Sequence, residues 1–322
     1  MASVYSHSDF YSCPPWVDPL NWQAYRDRYN KASDGFPDLV QLDLELTDAC
    51  NLRCLECPIS ADTLDRKKSV LTFDTAKEIL VQARSVNCVA LKLNYINEPL
   101  LNPSLLLKVA EFAKSIGFID IYFTSNATLL TKELSTKLIQ SNLFSRIQFS
   151  IDAIDSGTYD TIRRGGNFDL VKANILQFMD LRKSLNFSFP LIRVSFLSLP
   201  ENKGQEGIFC NQWSEIVDAV AIQRSVLSPH SSRDETNSDY KFTNRFCPNP
   251  FRQLVVRADL SVLPCCSFWG TNLSLGTYTV DNLGQLFSSH SMSSIQKSFT
   301  EKSFPLNQNC INCLTSCDPA QL

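Results

Sequence analysis

The sequence lacks several features that would each have indicated a particular class of protein. No stretch approaches the roughly 18 consecutive apolar residues of a membrane-spanning helix, and residues 1–11 have neither the basic start nor the apolar stretch of a secretory signal. Lys and Arg number 30 against 33 Asp and Glu, a net charge of −3, which provides no basic field for nucleic-acid phosphates. We therefore expect a cytoplasmic globular protein with no membrane and no nucleic-acid partner.

Cysteine, by contrast, is abundant. The chain has 12 cysteines in 322 residues. They cluster within residues 50–57 and beyond Phe246, and only Cys13, Cys88 and Cys210 lie elsewhere. Disulfides are rare in a reducing compartment, where grouped cysteines more often indicate metal or redox chemistry.

Between residues 40 and 226, short apolar or β-branched runs alternate with longer amphipathic ones, which is typical of a parallel α/β sheet. The predicted strands are residues 40–46, 89–95, 119–124, 146–151, 191–197 and 219–226. The predicted helices are residues 72–85, 103–115, 131–141 and 168–184, with Thr72 and Thr131 as N-caps. Six βα units are too few to close an eight-stranded barrel, so we predict a partial (β/α)6 barrel with function at the carboxyl ends of its strands.

The remaining segments suggest four regions. We assign residues 1–37 to an N-terminal extension that packs on the barrel, residues 38–228 to the barrel and residues 229–246 to a polar linker. Residues 247–322 would form a small C-terminal domain with strands at 253–257 and 262–263 and a helix at 283–299. Because this domain has little hydrophobic core of its own, we expect a metal to stabilise it.

A compact cysteine motif follows the first predicted strand. Cys50, Cys54 and Cys57 have C-x3-C-x2-C spacing in a loop that leaves the sheet. Cysteine thiolates are the usual ligands of iron–sulfur clusters, and three of them leave one iron of a [4Fe-4S] cluster open. An open coordination position is the mark of a catalytic metal site.

This motif in its strand context resembles the radical S-adenosylmethionine (SAM) superfamily. The resemblance implies that the open iron binds SAM, and that SAM is cleaved reductively to methionine and a 5′-deoxyadenosyl radical that abstracts a hydrogen atom from the substrate. It further implies that Glu98, in Glu98-Pro99 after the second strand, accepts a hydrogen bond from the SAM ammonium. Other positions that the resemblance assigns to SAM binding are Asn126, Ser150, Asp152, and Arg163 or Arg164.

The C-terminal cysteines resemble the SPASM or Twitch extension of the same superfamily, which binds an auxiliary [4Fe-4S] cluster. The best-matching ligand set is Cys247, Cys265, Cys310 and Cys313, with Cys266 or Cys317 able to replace a neighbour. Four ligands leave no iron open, which favours an electron relay or a structural role. Zinc on the same thiolates is the alternative.

The function we expect is hydrogen-atom abstraction from a C–H bond of a small polar metabolite, such as a sugar, an aminocyclitol or a natural-product intermediate. The favoured outcome is two-electron oxidation, in which the auxiliary cluster accepts the electron. A second hypothesis is a redox-neutral epimerase in which Cys266, or secondly Cys210, returns a hydrogen atom. A third is modification of a ribosomal peptide, and a fourth is a non-catalytic iron–sulfur or zinc protein that senses redox state or scaffolds partners. An external donor such as flavodoxin or ferredoxin would supply electrons.

Overall fold

A computed structural model describes residues 3–6, 10–60, 69–224, 246–301 and 305–315 of the chain. One ten-stranded sheet runs through these residues, in the order β1-β7-β6-β5-β4-β3-β2-β8-β9-β10. The strands are β1 (Ser3–Ser6), β2 (Gln41–Leu44), β3 (Ala90–Lys92), β4 (Asp120–Ser125), β5 (Arg146–Ser150), β6 (Leu191–Ser198), β7 (Ala219–Arg224), β8 (Gln253–Val256), β9 (Ser261–Leu263) and β10 (Gly276–Thr277).

The helices of the barrel follow its strands and cover the outside of the sheet. The helices of the described chain are α1 (Pro19–Lys31), α2 (Phe73–Ser85), α3 (Pro103–Ser115), α4 (Lys132–Gln140), α5 (Ser156–Ile162), α6 (Phe168–Ser184), α7 (Glu206–Trp213), α8 (Asn249–Arg252), α9 (Leu283–Phe287), α10 (His290–Thr300) and α11 (Gln308–Thr315). The two predicted N-caps are confirmed, since Thr72 accepts from Thr75 N and Thr131 accepts from Leu134 N. Within the described ranges, no helix is long and apolar enough to cross a membrane.

Strands β2 to β7 are parallel to one another and form the predicted partial barrel. Side chains alternate between its two faces. On β2, Leu42 and Leu44 are fully buried in the main hydrophobic core under the helices. Gln41, Asp43 and Glu45 therefore point to the inner face, which explains why polar residues alternate with leucines in this strand.

The structure differs from the sequence predictions in local breaks and short elements. The predicted helix at 283–299 is two helices, because Ser289 leaves helical geometry and caps α10 by accepting from Met292 N at 3.2 Å. The sequence pattern does not predict helices α5, α7 and α11, and α5 and α7 are only seven and eight residues long. The predicted linker falls, except for Phe246, outside the described residues.

The N-terminal segment packs on the barrel, as predicted. Strand β1 pairs antiparallel with β7, from Ser3 opposite Ile222 to Ser6 opposite Ala219, and adds an unpredicted strand to that edge. Helix α1 packs against the amino ends of β2 and β3 through a buried cluster that includes Trp22 and Tyr25.

The C-terminal region continues the barrel sheet. Strand β8 pairs in parallel with β2, with Gln41 opposite Gln253, and β9 and β10 follow antiparallel. The cysteines that flank this hairpin are thereby held next to the first strand of the barrel.

Candidate active site

The loop that carries the first cysteines, residues 50–57, leaves the carboxyl end of β2 and is held by backbone hydrogen bonds. Arg53 N donates to Arg164 O at 2.9 Å, and Leu55 N donates to Ile162 O at 2.8 Å. The loop is therefore fixed against the carboxyl end of α5, more than 100 residues later in the chain.

Inside the loop, hydrogen bonds to main-chain carbonyls form tight turns around its cysteines. Cys57 N donates to Cys54 O at 3.1 Å, and Ser60 Oγ donates to the same carbonyl at 2.6 Å. All three cysteines are free thiols of intermediate exposure. Burial raises the pKa of Cys50, with smaller contributions from the charges of Glu98 and Cys54.

Two side-chain donors point at these sulfurs. Asn126 Nδ2 lies 4.0 Å from Cys50 Sγ, and Arg163 Nη1 lies 3.7 Å from Cys54 Sγ. N–H donors favour the thiolate, which is the form that binds iron. The buried Nε of Arg163 has no hydrogen-bond partner, so the guanidinium retains a donor for a further anionic group.

Arg163 is held in place by Asp152. Its Nη2 forms an ion pair with Asp152 Oδ2, while Leu197 N donates to Oδ1 at 2.7 Å. Burial raises the pKa of Asp152, and the Arg163 charge opposes that shift. Arg164 is exposed, and the hydrogen bond that it makes to the loop comes from its backbone carbonyl. Of the two arginines suggested by the sequence, Arg163 is therefore the one at the site.

Glu98 is 2% exposed and accepts three hydrogen bonds from the protein. Oε1 accepts from Leu100 N and Ser125 Oγ, both at 2.9 Å, and Oε2 accepts from Asn126 N at 2.7 Å. Burial raises the pKa of Glu98, and these three hydrogen bonds oppose the shift. A carboxylate has about four acceptor positions, so one remains for the predicted SAM ammonium. Glu98 thus also positions the end of β4.

Asn126 belongs to a ring of polar side chains beside the cysteine loop. Its Nδ2 donates to Asn51 Oδ1 at 2.9 Å, Asn51 Nδ2 donates to Thr128 Oγ1 at 2.8 Å, and Thr128 N donates back to Asn126 Oδ1 at 3.0 Å. Sequence reasoning missed Asn51 and Thr128 as site residues, although Asn51 directly follows Cys50. The ring couples the loop to the end of β4.

Ser150, the remaining residue assigned to SAM binding, is half-buried at the end of β5. Ser195 Oγ donates to Ser150 Oγ at 3.4 Å across β5 and β6. Since these two strands pair Ser150 with Ser195, both hydroxyls lie on the inner face. The structure thus places Ser150 at the carboxyl end of the barrel, as the sequence predicted.

The predicted auxiliary ligands are close neighbours. The pKa of Cys247 is raised to about 12, mainly by burial, with smaller contributions from the nearby thiols of Cys313, Cys266 and Cys310. Burial also raises the pKa of Cys265, and its neighbours Cys266 and Cys247 contribute to that shift. A side chain at Gly270 would meet Cys265 Sγ at 3.0 Å, so glycine leaves room around that sulfur. The alternative ligand Cys317 lies outside the described residues.

Cys266 lies between the auxiliary thiols and the inner face of the barrel. It packs against a small buried cluster that includes Tyr95 and Leu263, and Asn249 Nδ2 lies 3.7 Å from its sulfur. Burial raises its pKa, and the charge of Asp43 on the inner face contributes. The structure thus places Cys266 beside both the predicted auxiliary ligands and Asp43 of the inner face.

Cys210, the second candidate hydrogen donor, lies on α7 and packs against the core between helices and sheet. The inner face of the barrel is on the other side of that sheet. The structure therefore places Cys210 on the helix side of the sheet, away from the inner face.

The two cysteine regions are linked by buried polar contacts. Tyr95 Oη donates to Ser267 O at 2.9 Å. Glu45, which is fully buried, accepts from Ile96 N at 3.4 Å and from Ala258 N at 3.3 Å. Sequence reasoning missed Tyr95 and Glu45. The alternation of polar and leucine residues in β2 is the signal that could have found Glu45, because strands buried on both faces normally read as continuous hydrophobic runs.

The donor set fits iron–sulfur clusters. Within the described ranges, no three Cys, His, Asp or Glu side chains lie as close together as the ligands of a single metal ion do. A cluster distributes its cysteine ligands over separate irons. Thiols in one loop, with N–H donors directed at two of them, fit such a cluster.

The comparison with protein families agrees with this arrangement. Residues 44–192 match the radical SAM superfamily, and residues 247–314 match SPASM, an iron–sulfur cluster-binding domain. These matches imply a SAM-binding [4Fe-4S] cluster at the first cysteine loop and an auxiliary cluster at the C-terminal cysteines.

Among characterised proteins, the chain is similar to GTP 3′,8-cyclases. It is 29% identical to the enzyme of Petrotoga mobilis over 143 residues, which are 44% of this chain and 42% of that protein. It is 31% identical to the probable GTP 3′,8-cyclase of Methanothermobacter marburgensis over 137 residues, 42% and 43% of the two chains. The match thus spans less than half the length of these relatives.

Solved structures share the fold. BtrN in complex with AdoMet and 2-DOIA superposes with a TM-score of 0.55 at 15% identity, over 88% of this chain and 94% of that one. Native anSMEcpe with bound AdoMet superposes with a TM-score of 0.61 at 13% identity, over 86% of this chain and 88% of that one. Native anSMEcpe with bound AdoMet and the Kp18Cys peptide also superposes with a TM-score of 0.61, at 14% identity, over 87% of this chain and 88% of that one.

Proposed function

Since the chain belongs to the radical SAM superfamily and carries a SPASM domain, we propose that it abstracts a hydrogen atom from a C–H bond of a small polar metabolite. The observation that carries this proposal is the cysteine loop with Asn126 and Arg163 directed at two of its sulfurs. Cysteine thiolates in one loop are suited to hold an iron–sulfur cluster, and the positive charge of Arg163 beside them is suited to bind the carboxylate of SAM.

In this proposal Cys50, Cys54 and Cys57 hold the cluster that supplies the electron for reductive SAM cleavage to methionine and the abstracting radical. Arg163 binds the methionine carboxylate through Nε–H, the donor that has no protein partner, because the guanidinium is always charged and its N–H groups suit a carboxylate. Glu98 accepts from the SAM ammonium through its remaining acceptor position and keeps Asn126 in register with the loop.

We favour two-electron oxidation over epimerisation. The auxiliary cluster would be held by Cys247, Cys265, Cys310 and Cys313, whose thiols lie next to the barrel, and a fully ligated cluster is suited to accept the substrate electron. The epimerase hypothesis is supported by Cys266, whose thiol also faces the inner side. An external flavodoxin or ferredoxin would reduce the first cluster.

A small molecule is favoured over a peptide or a nucleotide. BtrN, with 2-DOIA bound, and anSMEcpe, with a peptide bound, have the same fold, so the fold alone does not choose between them. The GTP cyclases match over too little of their length to transfer their substrate. The inner face of this barrel is polar, with buried Asp43, Glu45 and Arg146, which suits a compact polar substrate.

The test is anaerobic reconstitution with iron and sulfide, followed by SAM, a strong reductant and measurement of 5′-deoxyadenosine. We expect the wild type and the matched control Cys13→Ala to produce it, and Cys54→Ala to produce none. Cys13 packs beside α1 at the amino ends of the strands, where its thiol contacts the backbone of Pro14 and Val17. A fully iron-loaded wild type that forms no 5′-deoxyadenosine would contradict the proposal.

A further inference from the structure

A layer of polar side chains crosses the inner face of the barrel beside the auxiliary region. In the sheet register Gln41 lies opposite Gln253, and Asp43 lies opposite Lys92. Residues directly opposite each other on parallel strands share a face, so these four side chains, which we call the lumen layer, point inward together. The amide and carboxylate members are at most 3% exposed.

Two acceptors of the lumen layer are buried without a hydrogen bond. Gln41 Nε2 donates to Asp43 Oδ1 at 2.6 Å, which fixes both side chains. Gln41 Oε1 and Asp43 Oδ2 have no hydrogen-bond partner, and neither does the donor Gln253 Nε2. Lys92 Nζ is 3.9 Å from Asp43 Oδ2, an attractive distance for two charges but too long for a hydrogen bond. Buried polar atoms are almost always paired, so these three atoms indicate a missing group that can both donate and accept hydrogen bonds, as a hydroxyl does.

The layer lies where a substrate would meet both cluster regions. Asp43 precedes Glu45 by two residues, about 7 Å along the strand, and Glu45 bonds the segment that leads to Glu98. On the other side, Asp43 and Lys92 both act electrostatically on Cys266. A molecule bound to the lumen layer would therefore lie near Cys266 and could extend along the barrel toward the loop of residues 50–57.

We propose that the lumen layer binds the hydroxyl groups of a neutral polyhydroxylated ring and so anchors the end of the substrate remote from the reacting carbon. This inference rests on the proposed function and narrows its substrate class. A hydroxyl can donate to Asp43 Oδ2 and accept from Lys92 Nζ, which bridges the gap between them, and a second hydroxyl can donate to Gln41 Oε1. An ammonium would be placed beside Lys92, and a carboxylate beside Asp43, so both charged classes are disfavoured.

The experiment is equilibrium binding to the reconstituted, SAM-loaded protein without reductant. The probe is myo-inositol, and cyclohexylammonium and cyclohexanecarboxylate are rings of the same size with a single charged group. We expect myo-inositol alone to bind, with an affinity about tenfold lower in Asp43→Asn and in Lys92→Met, as for loss of one hydrogen bond to a charged group. Gln23→Leu, an exposed glutamine on α1, is the matched control and should bind like the wild type.

The inference is overturned if myo-inositol fails to bind, if both variants bind it as the wild type does, or if a charged ring binds more tightly. Iron content and circular dichroism establish that each variant is folded, and Lys92→Met decides the question if Asp43→Asn does not fold. The readout needs no turnover. If the wild type forms no 5′-deoxyadenosine under reduction, the proposed function fails while the binding result still reports on the lumen layer.

Discussion

Arg163 donates from Nη1 to the sulfur of Cys54 across 3.7 Å, although 109 residues separate the two in the chain. The same guanidinium pairs with Asp152, which is nearly fully buried. Asp152 thus holds the positive charge of Arg163 beside the cysteine loop. Separating the two side chains would leave a buried charge without a counter-charge, which is strongly destabilising.

Replacing Arg163 by lysine should weaken SAM binding by about tenfold or more while leaving the iron content unchanged. Lysine keeps the charge but loses the planar fork that can bond Asp152, the sulfur and a carboxylate together. Calorimetric titration of SAM into the reconstituted protein measures the effect. Arg164→Lys is the control, because the Arg164 side chain is exposed, and equal affinities in the two variants would remove Arg163 from the SAM site.

Glu98→Gln should lower the free energy of unfolding by about 1–3 kcal/mol, because an amide cannot accept all three of the hydrogen bonds that the carboxylate receives. Urea denaturation followed by circular dichroism measures the change. Glu133→Gln, at an exposed helix position where the carboxylate pairs with Lys137, should lower the free energy of unfolding much less, because an exposed ion pair contributes little to stability. A Glu98→Gln variant as stable as the wild type would show that the three contacts contribute nothing.

The stabilising contribution of Glu98 should decrease as pH rises. Burial raises the pKa of Glu98 above its usual 4.5, even though Arg163 and the hydrogen bonds oppose the shift. The folded state therefore holds the proton more tightly than the unfolded chain, so the contribution is complete below pH 4.5 and is lost as pH rises through the raised pKa. The difference in unfolding free energy between wild type and Glu98→Gln should shrink as pH increases above 4.5. A difference that grows with pH would contradict the shift.

Reconstituted protein should contain about eight irons, and replacing Cys50, Cys54 and Cys57 together by alanine should remove about half of them and abolish SAM cleavage. Replacing Cys247, Cys265, Cys310 and Cys313 together should remove the other half and leave some cleavage without substrate. Iron and zinc analysis measures both. Stoichiometric zinc in the wild type, or SAM cleavage by the triple variant, would refute this assignment.

Once a substrate is identified, turnover in D2O should distinguish oxidation from epimerisation. We expect a product two hydrogens lighter with no solvent deuterium at carbon, because the electron passes to the auxiliary cluster. Mass spectrometry and NMR read this directly. A product of unchanged formula carrying one deuterium, lost in Cys266→Ala, would establish the epimerase instead.

The fold was largely predictable from the sequence, because it depends on local patterns. The βα alternation indicates the six barrel strands, and the cysteine spacing indicates the first loop. What could not be predicted was which of Arg163 and Arg164 enters the site, since that depends on the turn after α5 and on its pairing with Asp152. The role of Glu98 as an acceptor for Ser125 and Asn126 was equally inaccessible, because it requires the packing of β4 against the segment after β3.

The pairing of β2 with β8 has a consequence for how the chain matures. The first barrel strand is complete once residue 44 has been synthesised, yet its outer neighbour begins only at Gln253. During translation, more than 200 further residues must be synthesised before β8 can pair with the backbone N–H and C=O groups along that edge. Until then, an open strand edge beside the cysteine loop is available for intermolecular pairing. Protein truncated before residue 253 should therefore aggregate rather than yield an isolated barrel. We also expect a cluster to be inserted into the first loop more efficiently once the full-length chain has been synthesised.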